Sequence, residues 1–397
     1  MAEFSFRIVK KDKKTRARAG KISTRRGQIE TPYLVPVATS ATVRSLDGKD
    51  LEDLGAQCAL VNTYHLHLRP GDALIKKLGG VHKFMDFDKP IFSDSGGFQA
   101  FSLGFGKEHN INKIGTIFPG NKRHPEKNES LAAITDKGVT FRSIYDGSSH
   151  FIGPKQAMKI QSNLRTDIIM AFDECTSPLH DYEYTKMAMQ RTHRWAKECL
   201  KTYDKKQAIY GIIQGGWWRD LRDESAGFIT SLPFDGIAIG GALGKDKKGI
   251  MDVLEWVMPQ LDGRPVHLLG IGEVEDLFTC IALGVDTFDC VVPTRTARRG
   301  GLFISPAAGG TIANKFRMNI KAGKHKDNKA PIDKYCSCQT CKRHSVAYLR
   351  HLYILNELAY YRLATLHNLH FVLTLVAEIR RSILNGTFAK LSKKWLG

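Results

Sequence analysis

Cys336, Cys338 and Cys341 fall within six residues, and His344, His351, His367 and His370 follow them. Thiolates set this close suit a single tetrahedral cation. Three thiolates with one imidazole make a closed set that leaves no position open for a substrate. The expectation is one zinc ion in a structural role. A disulfide within the run is disfavoured because a Cys-x-Cys bridge is strained. Spacing alone does not choose among the four histidines for the last position. The cluster explains how a small unit is held together, and it names no reaction.

A second set of reactive side chains sits where short apolar runs end. Asp94 opens Asp94-Ser-Gly-Gly-Phe-Gln99, Asp173 follows the run 167–172, and Asp289 lies inside the run 287–292. Gln214-Gly215-Gly216 ends the run 208–213, and Gly240-Gly241 ends 236–239. A carboxylate among large apolar residues is costly unless it is paired or used. Any one of the three aspartates reads equally well as a loop cap. Three together, with a glutamine and two glycine pairs at other run ends, describe a site. A carboxylate accepts from two adjacent N–H groups, while a glutamine amide and a glycine N–H face a carbonyl. That set complements the edge of a guanine-like base. Phe98 can stack on such a base, worth about 1–3 kcal/mol. An aspartate beside a ribose C1′ can act as nucleophile, because an oxocarbenium-like centre suits attack by carboxylate.

These groups need a scaffold that gathers run ends. Eight β-rich apolar runs occupy 33–38, 59–62, 90–93, 167–172, 208–213, 236–239, 266–271 and 287–292. Helical patterns at 47–54, 154–164, 184–203, 249–261 and 274–283 separate many of them. The alternation predicts an α/β protein, a (β/α)8 TIM barrel, whose reactive groups gather at the carboxyl ends of its strands. An open doubly wound sheet would share the rhythm, but no GxGxxG follows the first run. The barrel is expected over 1–295, with an irregular insertion at about 103–137 and a hairpin from 139–144 and 149–152. A zinc-binding subdomain inserted near the C-terminus is expected over 296–370. Residues 371–397 would supply a C-terminal helix completing the barrel, and a basic tail. The helical pattern from about 347 to 384 reads as broken near His367-Asn368.

Composition bounds the rest. A chain of 397 residues, 42% hydrophobic, exceeds the usual single core. Cys58, Cys175, Cys199, Cys280 and Cys290 stand singly in apolar runs, as reduced core thiols do. The N-terminus lacks a signal-peptide core and no apolar run is long enough to span a membrane, so a cytoplasmic protein is expected. Lys and Arg number 59 against 40 Asp and Glu, a net +19. That excess favours a polyanionic partner, nucleic acid first, over the bland alternative of a generally basic proteome. Of the basic runs at 10–18, 122–123, 295–299 and 390–394, only the third adjoins a candidate site residue.

Asp94-Ser-Gly-Gly-Phe-Gln99, Phe172-Asp-Glu-Cys175, Gln214-Gly215, Gly240-Gly241, Phe288-Asp-Cys-Val-Val-Pro-Thr-Arg295 and the cysteine set resemble the tRNA-guanine transglycosylase (queuine tRNA-ribosyltransferase) family, bacterial type. Asn62-Thr-Tyr-His-Leu66 and Val266-His-Leu-Leu-Gly-Ile-Gly272 also fit, and the match runs from about Arg16 to Arg380. The resemblance implies exchange of guanine at the wobble position of tRNA for a 7-deazaguanine, either the 7-aminomethyl base or queuine. It implies Asp289 as nucleophile, Asp94 as general base, and Asp173, Gln214, Gly241, Phe98 and Leu269 around the base. Arg295, Arg298 and Arg299 would hold RNA, His367 would complete the metal set, and the assembly would be a homodimer. The chain departs from the pattern at Ala242-Leu-Gly-Lys245, Thr294-Arg-Thr-Ala-Arg-Arg299, Leu269 and the long 103–137 segment. The first departure bears on which base is accepted. A retaining glycoside hydrolase would give no reason for the cysteine set or the charge. A noncatalytic tRNA-binding subunit would be expected to lack Asp289. Archaeal relatives acting elsewhere in tRNA usually carry a further C-terminal RNA-binding domain, which is not expected in a chain stopping at Gly397.

Overall fold

The computed structural model describes residues 4–99, 132–241 and 247–397. Its centre is a ring of eight parallel strands, matching the eight apolar runs. The first is split at Pro36, which has no N–H to give. Tyr33–Val35 pairs with the last strand, Thr287–Asp289, and Val37–Ala38 pairs with Ala59–Val61, so the halves of one strand close the ring. Ile91–Ser93, Ile168–Met170, Ala208–Ile213, Gly236–Ile239 and Val266–Leu268 complete it in chain order. Nearly every residue of these strands is buried, which is why they read as continuous apolar runs rather than alternating ones. Helices Pro154–Leu164, Tyr182–Thr202, Arg219–Thr230, Lys247–Val257 and Val274–Ala282 follow their strands around the outside.

The amino ends of the strands are covered by an antiparallel sheet of Ser5–Lys11, Arg18–Thr24 and Gly27–Thr31. Its basic residues meet acids placed just before barrel strands. Arg18 holds Asp286 through Nε at 2.9 Å, and Arg25 reaches Asp167 at 3.3 Å. Asp286 and Asp167 also accept backbone N–H bonds from Val266 and Ile91 on adjoining strands. Phe4 packs edge-on against Tyr210, inside the ring. The reading of 10–18 as a basic run missed that part of it belongs to this sheet.

A second, smaller core gathers Ala297, Leu302, Ile304, Ile320, Cys338, Cys341, Val346, Leu349 and Tyr360. Helix Leu358–Leu384 belongs to both cores: Tyr360 and Ala364 sit in the small one, while Leu366 to Ile383 line the barrel's. The expected break at His367-Asn368 is therefore wrong. The chain turns earlier, at Asn356 with φ +58, between Val346–Ile354 and the long helix. The polarity of His367 and Asn368 serves tertiary partners. Asn368 accepts from Phe303 N and donates to the carbonyls of Pro293 and Gly301, at 2.9–3.0 Å. The expected hairpin forms from Gly138–Arg142 and Ser149–Ile152. Ala132–Thr135 adds a third strand to it, so the last part of the 103–137 segment is regular. Residues 103–131 of that segment, and Ala242 to Lys245, lie outside the described residues.

Candidate active site

Three barrel strands deliver aspartates to one end of the ring, in three different environments. Asp94 follows Ile91–Ser93 and is held from the neighbouring strand end. The backbone N–H groups of Thr63 and Gly96 donate to its Oδ1 at 2.8 and 3.2 Å. The Asn62 amide donates to Oδ2. Asn62 has no freedom to turn away, because its Oδ1 accepts from His65 N at 2.9 Å and caps helix Thr63–Leu68. Burial pushes the Asp94 carboxyl up to about 7, helped by the nearby charge of Asp289 and opposed by the Thr63 and Gly96 donors.

Asp173 is enclosed with its own partners. Ser95 Oγ donates to Oδ1 at 2.8 Å and Gln214 Nε2 to Oδ2 at 2.7 Å. Burial raises this carboxyl to about 6. Gln214 Oε1 is buried and accepts no hydrogen bond among the described residues. Beside it runs the backbone of Gly240-Gly241, where a Cβ on Gly241 would stand 2.7 Å from that oxygen, and Gly241 has φ +61. Any larger residue would fill the wall and strain the turn. The fully buried Arg222 ties this region to the barrel, donating to the carbonyls of Gly216 and Ile213 at 2.9 and 3.1 Å.

Asp289 ends the last strand and remains partly open to solvent, its side chain 17% exposed. The Gly270 N–H donates to its Oδ1 at 3.0 Å, and Nε2 of His267 lies 3.2 Å from the same oxygen. Oδ2 makes no hydrogen bond among the described residues, so one oxygen is fixed and the other is free to react. Gly270, at φ +76, turns its N–H inward as an L side chain would not readily allow. Leu269 packs on the barrel core next to this turn. Phe98 stands 49% exposed at the rim instead of packed within the protein.

Helix Val292–Arg298 starts directly beyond Asp289 and carries Arg295 and Arg298, with Arg299 at its end. None of the three pairs with a carboxylate among the described residues. Arg298 donates to its own helix, at Thr294 O. Burial and mutual repulsion lower the proton affinity of Arg295 and Arg298, and Arg44 contributes to the repulsion at Arg298. The loop carrying Arg44 leaves the first barrel strand, with buried Val43 and Leu46 anchoring it on either side. A cationic cluster on the helix that follows Asp289, with no carboxylate partner among the described residues, suits a phosphate-bearing ligand.

Cys336, Cys338, Cys341 and His367 converge, their ligand atoms all within 4.8 Å of one another. His367 Nδ1 lies 3.3, 3.5 and 3.8 Å from the Cys341, Cys338 and Cys336 sulfurs. Its Nε2 sits 2.7 Å from the Phe303 carbonyl, which fixes the proton on Nε2 and turns the Nδ1 lone pair toward the thiols. This is a set that can hold a metal ion. Of the three sulfurs His370 approaches that of Cys336, at 3.6 Å, while its Nε2 lies 3.3 Å from Ser337 Oγ. His344 stacks on Tyr348, and His351 belongs to the turn-side helix.

The structure thus puts Asp94, Asp173, Gln214, Gly241, Leu269 and Asp289 at the carboxyl ends of their strands. Sequence reasoning gave no role to Asn62, Thr63, Ser95, His267 or Arg44. Asn62, Thr63, Ser95 and His267 lay in motifs already noted; position directly after a strand was an available signal for Asn62, whereas His267 sits in the middle of its strand and offered none.

An α/β barrel with acids at its strand ends and an appended Cys3His unit defines a barrel enzyme. The family model for queuine tRNA-ribosyltransferase matches residues 12–397. The chain belongs to that family, and it is a transferase. A protein of Archaeoglobus fulgidus is 54% identical over 390 residues, covering 96% of this chain and 97% of its own. The queuine tRNA-ribosyltransferase of Herpetosiphon aurantiacus is 45% identical over 383 residues, covering 96% and 89%. That of a Roseiflexus species is 41% identical over 408 residues, covering 99% of both.

Proposed function

We propose that the protein exchanges guanine at the tRNA wobble position for a 7-deazaguanine through a covalent aspartyl–tRNA intermediate. The observation that carries this reading is Asp289, with Oδ1 held by a donor from Gly270 and Oδ2 without a hydrogen bond among the described residues, near enough to the half-buried Asp94 for its charge to raise that carboxyl. Oδ2 of Asp289 attacks C1′ of the target ribose, and the bond to guanine N9 breaks with its electron pair going to the base. Asp94, raised to about 7, is partly protonated at neutral pH and gives its proton to the departing base. The resulting carboxylate then takes the proton of the incoming base, whose N9 displaces Asp289. Two inversions retain the sugar configuration.

Asp173, Gln214 and the Gly241 backbone read the base edge, and Phe98 closes over it when base is bound. Leu269 flanks the same pocket. Arg295, Arg298 and Arg299 hold the anticodon phosphates, with Arg44 joining them. The small Ala242 in place of a frequent leucine supports acceptance of queuine; competition of each base against labelled guanine tests that choice. Zinc is the ion we assign to the Cys3His set, in a structural role, and the second core supports 296–370 as the unit it holds. Exposed Ile354, Leu355 and Leu358 support a homodimer, to be checked by sedimentation.

Asp289→Asn is expected to abolish exchange of labelled guanine into tRNA and to remove the adduct seen for the parent protein on denaturing gels. An asparagine protein that is free of deamidation and still captures tRNA would remove Asp289 from the nucleophile role.

A further inference from the structure

The nucleophile is supported by a side chain to which neither its motif nor its charge drew a role. His267 lies on strand Val266–Leu268, is fully buried, and stacks on Phe92 with ring centres 5.6 Å apart and planes at 26°. Its register partner on the next strand is Thr287, and Asp289 lies two residues further along that strand. Residues two apart on a strand face the same side, so Thr287 and Asp289 both present to the one imidazole. Nδ1 is 2.9 Å from Thr287 Oγ1, and Nε2 is 3.2 Å from Asp289 Oδ1.

These distances fix the proton. A carboxylate only accepts, so Nε2 must carry hydrogen to bond it. Nδ1 of the neutral ring then accepts, and the threonine hydroxyl has a proton to donate. The opposite tautomer would aim a lone pair at the carboxylate, with nothing to relieve the repulsion. Both ring nitrogens then have partners, and Phe92 stacks on one face of the ring.

We propose that His267 is the positioning residue of the nucleophile, with Thr287 selecting its tautomer. The inference rests on Asp289 being the attacking group. With the Gly270 N–H, Nε2–H gives Oδ1 two donors, so the carboxylate cannot spin and Oδ2 alone faces the ribose. In the covalent intermediate Oδ1 becomes the ester carbonyl oxygen. When the incoming base expels Asp289, negative charge returns to that oxygen, and both donors are already in place to receive it. His267 touches no reacting atom of the substrate and acts through Asp289.

The test compares His267→Phe, His267→Gln and Thr287→Val with Asp289→Asn in the full-length protein, using tRNA and labelled guanine. A glutamine amide can reach about as far as Nε2 and donate to Oδ1; phenylalanine fills the space without donating. Misplacement of a reacting group on the order of 1 Å costs about 100-fold. His267→Phe is expected to lower kcat by about that factor with KM for tRNA within about twofold, while His267→Gln recovers at least about tenfold. Thr287→Val should fall between them. A His267→Phe protein with parental kcat, a loss confined to KM, or a folded glutamine variant no better than phenylalanine would each overturn the proposal. Should His267→Phe fail to fold, Thr287→Val decides, parental kcat there counting against the assignment. Activity in Asp289→Asn would instead sink the nucleophile reading on which all of this stands.

Discussion

At the scale of residues, Asp94 is the group whose environment works against its own charge. An unfolded chain ionises this carboxyl near its ordinary 3.8, whereas burial moves it to about 7 in the fold. The neutral form suits the folded state, so the stability Asp94 lends is complete below about pH 4 and lost as pH rises through about 7. Asp94→Asn keeps the shape and removes the titration. Its thermal midpoint is expected to gain on the parent's between pH 4 and pH 8, reflecting a burial cost on the order of a few kcal/mol. Exchange should fall by about 100-fold or more with the proton carrier gone. A midpoint difference that stays flat across that pH range would remove buried charge as its cause. The three aspartates were legible in the sequence because strand ends are where barrels place chemistry. His267 was not, since one polar side chain within an apolar strand reads the same whether it fills the core or serves a site. Only distances distinguish them.

At the scale of elements, the long helix Leu358–Leu384 joins the Cys3His set to the ring. His367 faces the sulfurs, and its neighbour Asn368 bonds Pro293 at the start of the helix that carries the arginines. Cys338→Ala is therefore expected to lose metal and to destabilise the small core by several kcal/mol. Weaker tRNA binding should follow through the Pro293 contact. Metal analysis alongside melting checks this, and an alanine protein that keeps one tightly bound zinc would contradict it. Retention of metal by His367→Ala would redirect the fourth position to His370. The eight strands were readable because burial on both sides leaves unbroken apolar runs. Five helices were read close to their bounds, while the barrel helix Arg219–Thr230 was not read at all. The N-terminal sheet was hidden by its many basic residues, of which Arg18 and Arg25 pair with Asp286 and Asp167, far away in sequence. The mistaken break at His367-Asn368 came from reading polarity as solvent exposure.

At the scale of the whole molecule, a net +19 would attract any polyanion. The fold separates two kinds of basic residue. Among the described residues Arg295, Arg298 and Arg299 have no carboxylate partner and follow Asp289 directly, whereas Lys390, Lys393 and Lys394 line the outer face of helix Phe388–Leu396, whose Phe388, Leu391 and Trp395 are buried. Affinity for tRNA should fall steeply as salt rises, since phosphate contacts release counterions. Arg299→Ala is expected to weaken binding more than Lys393→Ala and to flatten the salt slope by about one. Equal losses in titrations at several salt concentrations would mean that charge acts diffusely. The split first strand has a consequence for a chain still being made. Its first half, Tyr33–Val35, waits for a partner more than 250 residues later in the sequence, Thr287–Asp289, whereas Val37–Ala38 pairs at once with Ala59–Val61, and that late arrival also bears Asp289. On the roles proposed above, ring closure and the arrival of the nucleophile are one event. A polypeptide halted on the ribosome before that strand emerges would carry Asp173 and Gln214 without Asp289, and so could bind a base without attacking the sugar that bears it.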